Sequence, residues 1–327
     1  MSSRIFAFAL IVLPLVSHPD RAAVAQTVKV GYTSKTFGYL PLFIGVKKGF
    51  YKDEGLQAQL IQMGSAAIQL QALIGGDLHI INTNPDGVIL FNEKGGALKI
   101  IAGLNNGAPY VLVGAKPYKK IMDLKGSKIG ASTLKGGTTT FLLEYLKAKR
   151  LNYPRDYALL VIAGGTPGRL AALESGTIAA TVLGIPVSDI AIDRGLNRLG
   201  EIAEVLPSFQ LTAVVANPVW AEKNRATVVK FLKAHILSLR WLYSHLDEAE
   251  GFFINEMGVQ KPYSRRGIEY WTKNRLFPTD GSMTMEGLKK NIEFQAKDGL
   301  LKEPLPSPEK YVDDSYLKQA QNQMGIK

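Results

Sequence analysis

Cysteine is absent from the 327-residue chain. A small secreted module stapled by disulfides is thereby excluded. So is a lipid-anchored bacterial protein, whose anchor is a cysteine at the cleavage site. Histidine is nearly as scarce, with four in all. His235 and His245 lie on one helical pattern, with no carboxylate completing a metal-ligand spacing. His79 falls in an apolar strand and reads as a structural histidine. No metal and no cofactor are expected. No apolar run reaches the roughly 20 residues that a membrane-spanning helix needs, and there is no low-complexity tract. A G-x-S-x-G elbow, a phosphate-binding P-loop and a dinucleotide fingerprint are all missing. The neighbouring carboxylates Asp53-Glu54 and Asp313-Asp314 read as solvated surface.

What remains is a chain able to build proper cores, 46% hydrophobic and 20% charged, with room for two domains. The formal net charge is +11. Its basic residues are spread along the chain rather than gathered in a stripe with aromatics, which argues against nucleic-acid binding. A diffuse positive field does attract small anions. The N-terminus has the pattern of an export signal. Arg4 precedes the apolar run Ile5 to Val16, and Ala23-Val24-Ala25 supplies a small-x-small site before Gln26. A cleavable signal peptide over 1–25 and a free periplasmic protein are expected.

From Val28 short apolar runs alternate with helical patterns. Strands are expected over 28–32, 56–63, 78–81 and 98–102, and helices over 40–51, 66–74 and 85–92. That alternation implies βαβ units and parallel sheets. An internal echo extends it. Lys29-Val30-Gly31-Tyr32-Thr33-Ser34 is answered by Lys128-Ile129-Gly130-Ala131-Ser132-Thr133, and Leu70, Ala72, Leu73, Gly76 and Leu78 by Leu170, Ala172, Leu173, Gly176 and Ile178. Two lobes built on one plan are expected. Tyr110–Ala115 and Leu211–Ala216 both lead into an x-Pro step, and are read as strands crossing side by side between the lobes. Lobe one is then 26–112 plus 213–327, and lobe two 113–212. Asn217 caps a long C-terminal helix whose apolar face (Val229, Leu232, Ile236, Leu239, Tyr243, Leu246) packs on lobe one.

Candidate binding residues sit in loops where strands end. They are Ser34, Lys35, Thr36, Phe37, Gly38 and Tyr39 after the first strand, Gly64 and Ser65 before the next helix, and Asn82, Thr83 and Asn84. In the second half they are Thr133, Lys135, Gly136, Gly137 and Thr138, then Gly165 and Thr166, then Gly184. Ligands of open α/β sheets bind outside the carboxyl ends of strands, where helix N-termini offer free N–H groups and a positive dipole end to an anion. Lys35 and Lys135 follow the two echoing strands and suit a carboxylate or sulfonate. Phe37 and Tyr39 suit an apolar tail.

The stretch Leu40-Pro41-Leu42-Phe43-Ile44-Gly45-Val46-Lys47-Lys48-Gly49-Phe50-Tyr51-Lys52-Asp53-Glu54-Gly55-Leu56, the turn from Ala72 to Asp77, and Ala171 to Ile178 resemble the solute-binding proteins of ABC importers for nitrate, taurine and aliphatic sulfonates. The likeness runs over most of 28–220. It implies a type II periplasmic-binding fold: two Rossmann-like lobes joined by two crossing strands, with the ligand between them. It also implies delivery to a membrane permease driven by a cytoplasmic ATPase. A related branch makes a thiamine pyrimidine precursor with a cysteine-rich iron motif, which this chain lacks.

The expectation is a monomeric binder, not an enzyme, closing on a small organic anion. Two alternatives stand beside it. A neutral or cationic pyrimidine-like ligand would call for a buried Asp or Glu in the cleft, and the loops show no obvious one. A serine enzyme would use Ser132 and Lys135 as an S-x-x-K pair. That motif needs its Ser at a helix start, and its companion motifs are absent.

Overall fold

A computed structural model of the chain describes residues 25–134 and 137–326. The proposed signal segment and two candidate site residues, Lys135 and Gly136, lie outside the described residues.

The first half runs β1 (Gln26–Tyr32), α1 (Leu40–Lys47), α2 (Phe50–Asp53), β2 (Leu56–Gln62), α3 (Ala66–Gly75), β3 (Ile80–Thr83), α4 (Pro85–Glu93) and β4 (Lys99–Asn106). The chain then crosses into β5 (Tyr110–Gly114), β6 (Lys128–Ala131), α5 (Thr138–Ala148), β7 (Ala158–Val161), α6 (Gly165–Glu174), β8 (Ala180–Gly184), α7 (Val187–Asp193) and β9 (Asn197–Glu201). It returns through β10 (Gln210–Ala216) and finishes in helices: α8 (Pro218–Lys223), α9 (Arg225–Ser244), α10 (Leu246–Met257), α11 (Lys261–Lys273), α12 (Met285–Lys297) and α13 (Ser315–Gln323).

Two five-stranded sheets result, ordered β2-β1-β3-β10-β4 and β7-β6-β8-β5-β9. In each, three parallel strands are followed by one antiparallel strand and a fifth beyond it. β1 and β6 occupy the same place, as do β3 and β8, so the echo in the sequence marks equivalent strands. Even the register repeats. Gly31 faces Ile81, and Gly130 faces Thr181. A Cβ on Gly31 would stand 2.6 Å from Leu78 Cδ1, and one on Gly130 2.4 Å from Ile178 Cδ1. The repeated glycines make room for the repeated Leu78 and Ile178.

The central strands of each sheet are buried on both faces, which is why they read as near-continuous apolar runs, while the edge strands β2, β7 and β9 stay partly exposed. Strand side chains alternate between faces. Val214 and Ala216 of β10 pack with α9, while Ala213 and Val215 pack with Val88 of α4 and Ile292 of α12. In β5, Val111 and Val113 join Leu173 of α6, and Leu112 joins Leu142 of α5. Burying each such valine, leucine or isoleucine side chain contributes about 1.5–3 kcal/mol.

Two expectations are corrected here. The strands around 110–115 and 211–216 do not lie side by side. β5 pairs with β8 and β9, and β10 with β3 and β4, because each supplies the antiparallel fourth strand of its own sheet. The crossings are instead the connections 107–109 and 202–209. The C-terminal helix also divides. Asn224 leaves helical dihedrals, and its Nδ2 donates to the carbonyl of Trp220, separating α8 from α9. The apolar face of α9 does pack on the first sheet, with Val229, Leu232 and Ile236 buried in its core.

Candidate functional site

The carboxyl ends of β1, β3, β6, β7 and β8, together with the starts of β5 and β10, open onto one cleft of about 840 Å³. That lies within the range of small-molecule sites, about 300–1,000 Å³. Among the described residues no group of His, Asp and Glu is arranged to hold a metal ion, and no helix is long and apolar enough to cross a membrane.

Of the candidate residues, Ser34, Lys35, Thr36, Phe37, Gly38, Tyr39, Thr83, Asn84, Gly137, Thr138, Thr166 and Gly184 line the cleft. Gly64, Ser65, Asn82, Thr133 and Gly165 stand off its wall. Ser65 is occupied in capping α3, where its hydroxyl accepts from the Ile68 N–H at 3.3 Å. Asn82 is buried within β3. The Thr133 N–H donates to Thr139 Oγ1, and Thr139 Oγ1 donates back to the Thr133 carbonyl at 2.9 Å. This buried threonine pins the turn after β6. Gly137 then starts α5 at φ 59°, ψ −145°, a conformation open to glycine alone.

On the first lobe, the loop after β1 is held by its own polar groups. Tyr39 OH and Thr33 Oγ1 are 2.8 Å apart, and Asn105 Nδ2 donates to the Gly38 carbonyl at 3.0 Å. A side chain at Gly38 would collide with that amide, at 2.8 Å. Phe37 is anchored edge-on against Phe253, ring centroids 4.7 Å apart, with Trp271 at 5.1 Å. Lys35 is exposed and makes no ion pair among the described residues; its Nζ lies 5.9 Å from the Phe43 ring centroid. At β3, Asn84 Oδ1 accepts from the Asp86 N–H and caps α4, while its Nδ2 donates to the Leu211 carbonyl.

Asp86 itself lines the cleft, a residue the sequence did not single out. Asn291 of α12 donates to its Oδ1 at 2.8 Å. Burial pushes its carboxyl up to about 6, against the hydrogen bonds from Asn291 and Gln295 and with the Asp298 charge adding to the rise.

Aromatic residues from remote segments complete the walls. Phe209 meets Phe141 edge-on at 4.9 Å and stacks on Phe294 at 5.9 Å, and Tyr110 lies 5.4 Å from Phe141. Burial pushes the Tyr110 hydroxyl up to about 12. On the second lobe Thr166 opens α6, and Arg169 of the same helix donates to its Oγ1 at 3.2 Å.

The histidines stand apart from the cleft. His79 Nδ1 accepts from the Lys29 N–H, and its ring stacks on Trp220 at 4.9 Å. His235 is buried with Nε2 2.9 Å from the Gly103 carbonyl, and His245 stacks on Trp241. Ser132 bonds Thr139 Oγ1 at a strand end, six residues before α5 begins at Thr138. The helix-start geometry required for an S-x-x-K nucleophile is not formed there.

Two α/β lobes wound alike, crossed twice by the chain and facing each other across their strand ends, constitute the periplasmic-binding-protein fold. The chain belongs to the NMT1-like family, which matches residues 21–251. Its backbone is similar to the periplasmic aliphatic sulphonate binding protein SsuA of Escherichia coli. There the TM-score is 0.71 at 17% identity, covering 89% of this chain and 99% of that one. The periplasmic nitrate-binding protein NrtA of Synechocystis PCC 6803 gives 0.72 at 14% identity, covering 92% and 89%. A Brucella abortus protein with a provisional binding-protein name is 32% identical over 122 residues, spanning 37% of this chain and 36% of that protein. The chain thus aligns with about a third of that relative's length.

Proposed function

We propose that this chain is the exported solute-binding component of an ABC importer, closing on a small organic anion between its lobes and catalysing no reaction. The observation that carries the reading is the single cleft into which both sheets' strand ends open, lined by hydroxyls, glycines and helix N-termini from each half. Such a site holds a carboxylate or sulfonate through N–H and hydroxyl donors. Its aromatic walls favour an apolar or aromatic body on the ligand. The two similar solved proteins are named for the anions they bind, an aliphatic sulphonate and nitrate, which supports the ligand class. A monomer in the periplasm would hand its solute to a membrane permease driven by an ATPase. The bound form would favour lobe closure through its contacts to both halves.

Asp86 supports a second reading. A partly buried carboxyl on the cleft wall suits a ligand with N–H donors, such as a pyrimidine. A thermal-shift screen of the purified protein separates the two readings. Stabilisation by small carboxylates or sulfonates and none by nucleobases is expected. The reverse pattern favours the second reading, and no response to either class refutes both.

A further inference from the structure

The two lobes share a plan but differ in charge where it meets the cleft. Position 69 on α3 and position 169 on α6 are equivalent in the internal repeat. Gln69 is fully buried, and its Nε2 donates to the Asn82 carbonyl. Arg169 is also buried, with 4% of its surface exposed. It forms no ion pair among the described residues, its Nε has no hydrogen-bond partner, and Nη2 points at Thr166 Oγ1 on the cleft wall. Tyr110, which also lines the cleft, is the group that senses its charge. A buried guanidinium without a counter-charge costs free energy until an anion arrives.

The helix starts after the second and third strands of each sheet differ along the same line. On lobe one Ser65 and Asn84 each accept one first-turn N–H, from α3 and α4, while α1 has no side-chain cap, and Asp86 adds a carboxyl in the first turn of α4. On lobe two neither α5 nor α6 has a side-chain cap. Among the described residues no side chain takes the N–H groups of Gly165 and Thr166 at the start of α6, directly beside the hydroxyl that Arg169 holds.

We propose that the ligand binds with one polarity, its anionic group on lobe two at the N-terminus of α6, with Thr166 as the contact and Arg169 as the positioning residue behind it. Asp86 repels an anion from lobe one and accepts an N–H or O–H from the ligand's other end. The ligand class is then an acid with a flat apolar body and a hydrogen-bond donor opposite the acid. This rests on the solute-binding reading above. An anion on Thr166 would receive the hydroxyl proton while Thr166 Oγ1 accepts from Arg169, so the cation acts through one relay.

The test is calorimetric titration of the mature protein with methanesulfonate, benzenesulfonate, benzoate and 4-aminobenzoate. If none binds the wild type, the organic-anion reading itself fails, and this inference with it. If any binds, Arg169→Gln, which installs the residue found on lobe one, should weaken that acid by about tenfold or more. Arg169→Lys should recover part of the loss. The ligand-free Arg169→Gln protein should unfold at the same temperature as wild type or higher, since an uncompensated cation is gone; a purely structural arginine would lower it. Thr166→Val, at the cleft surface, gives the same weakening without touching the buried cation, and serves if Arg169→Gln does not fold. Asp86→Asn should tighten benzoate and erase any preference for 4-aminobenzoate. Binding within twofold of wild type in both Arg169→Gln and Thr166→Val overturns the proposal.

Discussion

Replacing Asp86 by Asn tests whether burial of that carboxyl is as costly as its surroundings indicate. Its ordinary value of 3.8 is raised to about 6 in the folded protein, a difference of roughly two units at about 1.4 kcal/mol each. The upper bound is therefore about 3 kcal/mol, and the side chain's partial exposure to the cleft brings the expectation to about 1–3 kcal/mol. The sign follows from proton counting. Between about pH 4 and 6 the folded protein holds a proton that the unfolded chain has released, so stability falls as pH rises through this window. Above about 6 the penalty is complete. Asn keeps the shape of the carboxyl, and its amide oxygen can still accept from Asn291 Nδ2. Urea denaturation of wild type and Asp86→Asn, followed by circular dichroism from pH 4.5 to 8, gives the difference directly. The variant should be more stable by about 1–3 kcal/mol at pH 7.5, and its advantage should shrink to roughly a third of that at pH 4.5. A difference independent of pH, or a variant less stable at pH 7.5, refutes the reasoning.

Other outcomes follow from the same contacts. His235 has its value lowered to about 4 by burial, so it contributes stability that is present above about pH 6.5 and lost as pH falls towards 4. Asp86 acts oppositely over much of that range, so the wild-type curve conceals both; His235→Asn should expose the Asp86 slope in a pH series of melts, and an unchanged slope would count against it. Gly130→Ala should cost about 1–3 kcal/mol in denaturant titrations, because its Cβ would meet Ile178 Cδ1 at 2.4 Å. Adding Ile178→Ala should return part of the loss, and no coupling between the two would contradict the packing. Arg266 of α11 grips Asp193 of α7 through two bonds of 2.8 and 2.9 Å. Both are exposed, so Arg266→Ala should change stability by under about 1 kcal/mol. This pair ties a C-terminal helix to the second lobe, so small-angle scattering should show a wider ligand-free molecule; a profile identical to wild type would refute the link.

The sequence carried the fold because its signals are local. Apolar runs four to eight residues long, the turns between them and the repeat at a spacing of about 100 each depend on neighbouring residues. The loops after the strands were readable for the same reason, and Ser34 to Tyr39, Thr83, Asn84, Gly137, Thr138, Thr166 and Gly184 do reach the cleft. What the sequence hid is everything assembled from distance. Asp86 looks like an ordinary acidic residue in the first turn of a helix until Asn291, 205 positions away, closes over it. Phe209, Phe253, Trp271 and Phe294 come from a crossing and three C-terminal helices that belong to neither copy of the repeat. Ser65 had the right type in the right loop, yet capping its own helix was the nearer use for its hydroxyl. The segments 110–115 and 211–216 read as strands from the sequence, but partner choice depends on the whole sheet, and each joins a different one.

The repeat also explains why the site can be polar at one end without disturbing the fold. Gly31 with Leu78 and Gly130 with Ile178 fill the same volume in the two sheets, so the framework is fixed by apolar contacts that both halves share. Residues 69 and 169 sit on helices packed against the sheets, where lobe one places a Gln bonded to the Asn82 carbonyl and lobe two an Arg facing Thr166. Charge at that position is therefore free to differ between lobes. A ligand that touches both lobes gains differential affinity for the closed state only if each end meets a complementary group. On the proposed polarity, the uncapped start of α6 with Arg169 behind it on one side and Asp86 on the other would provide that complementarity from a single duplicated scaffold.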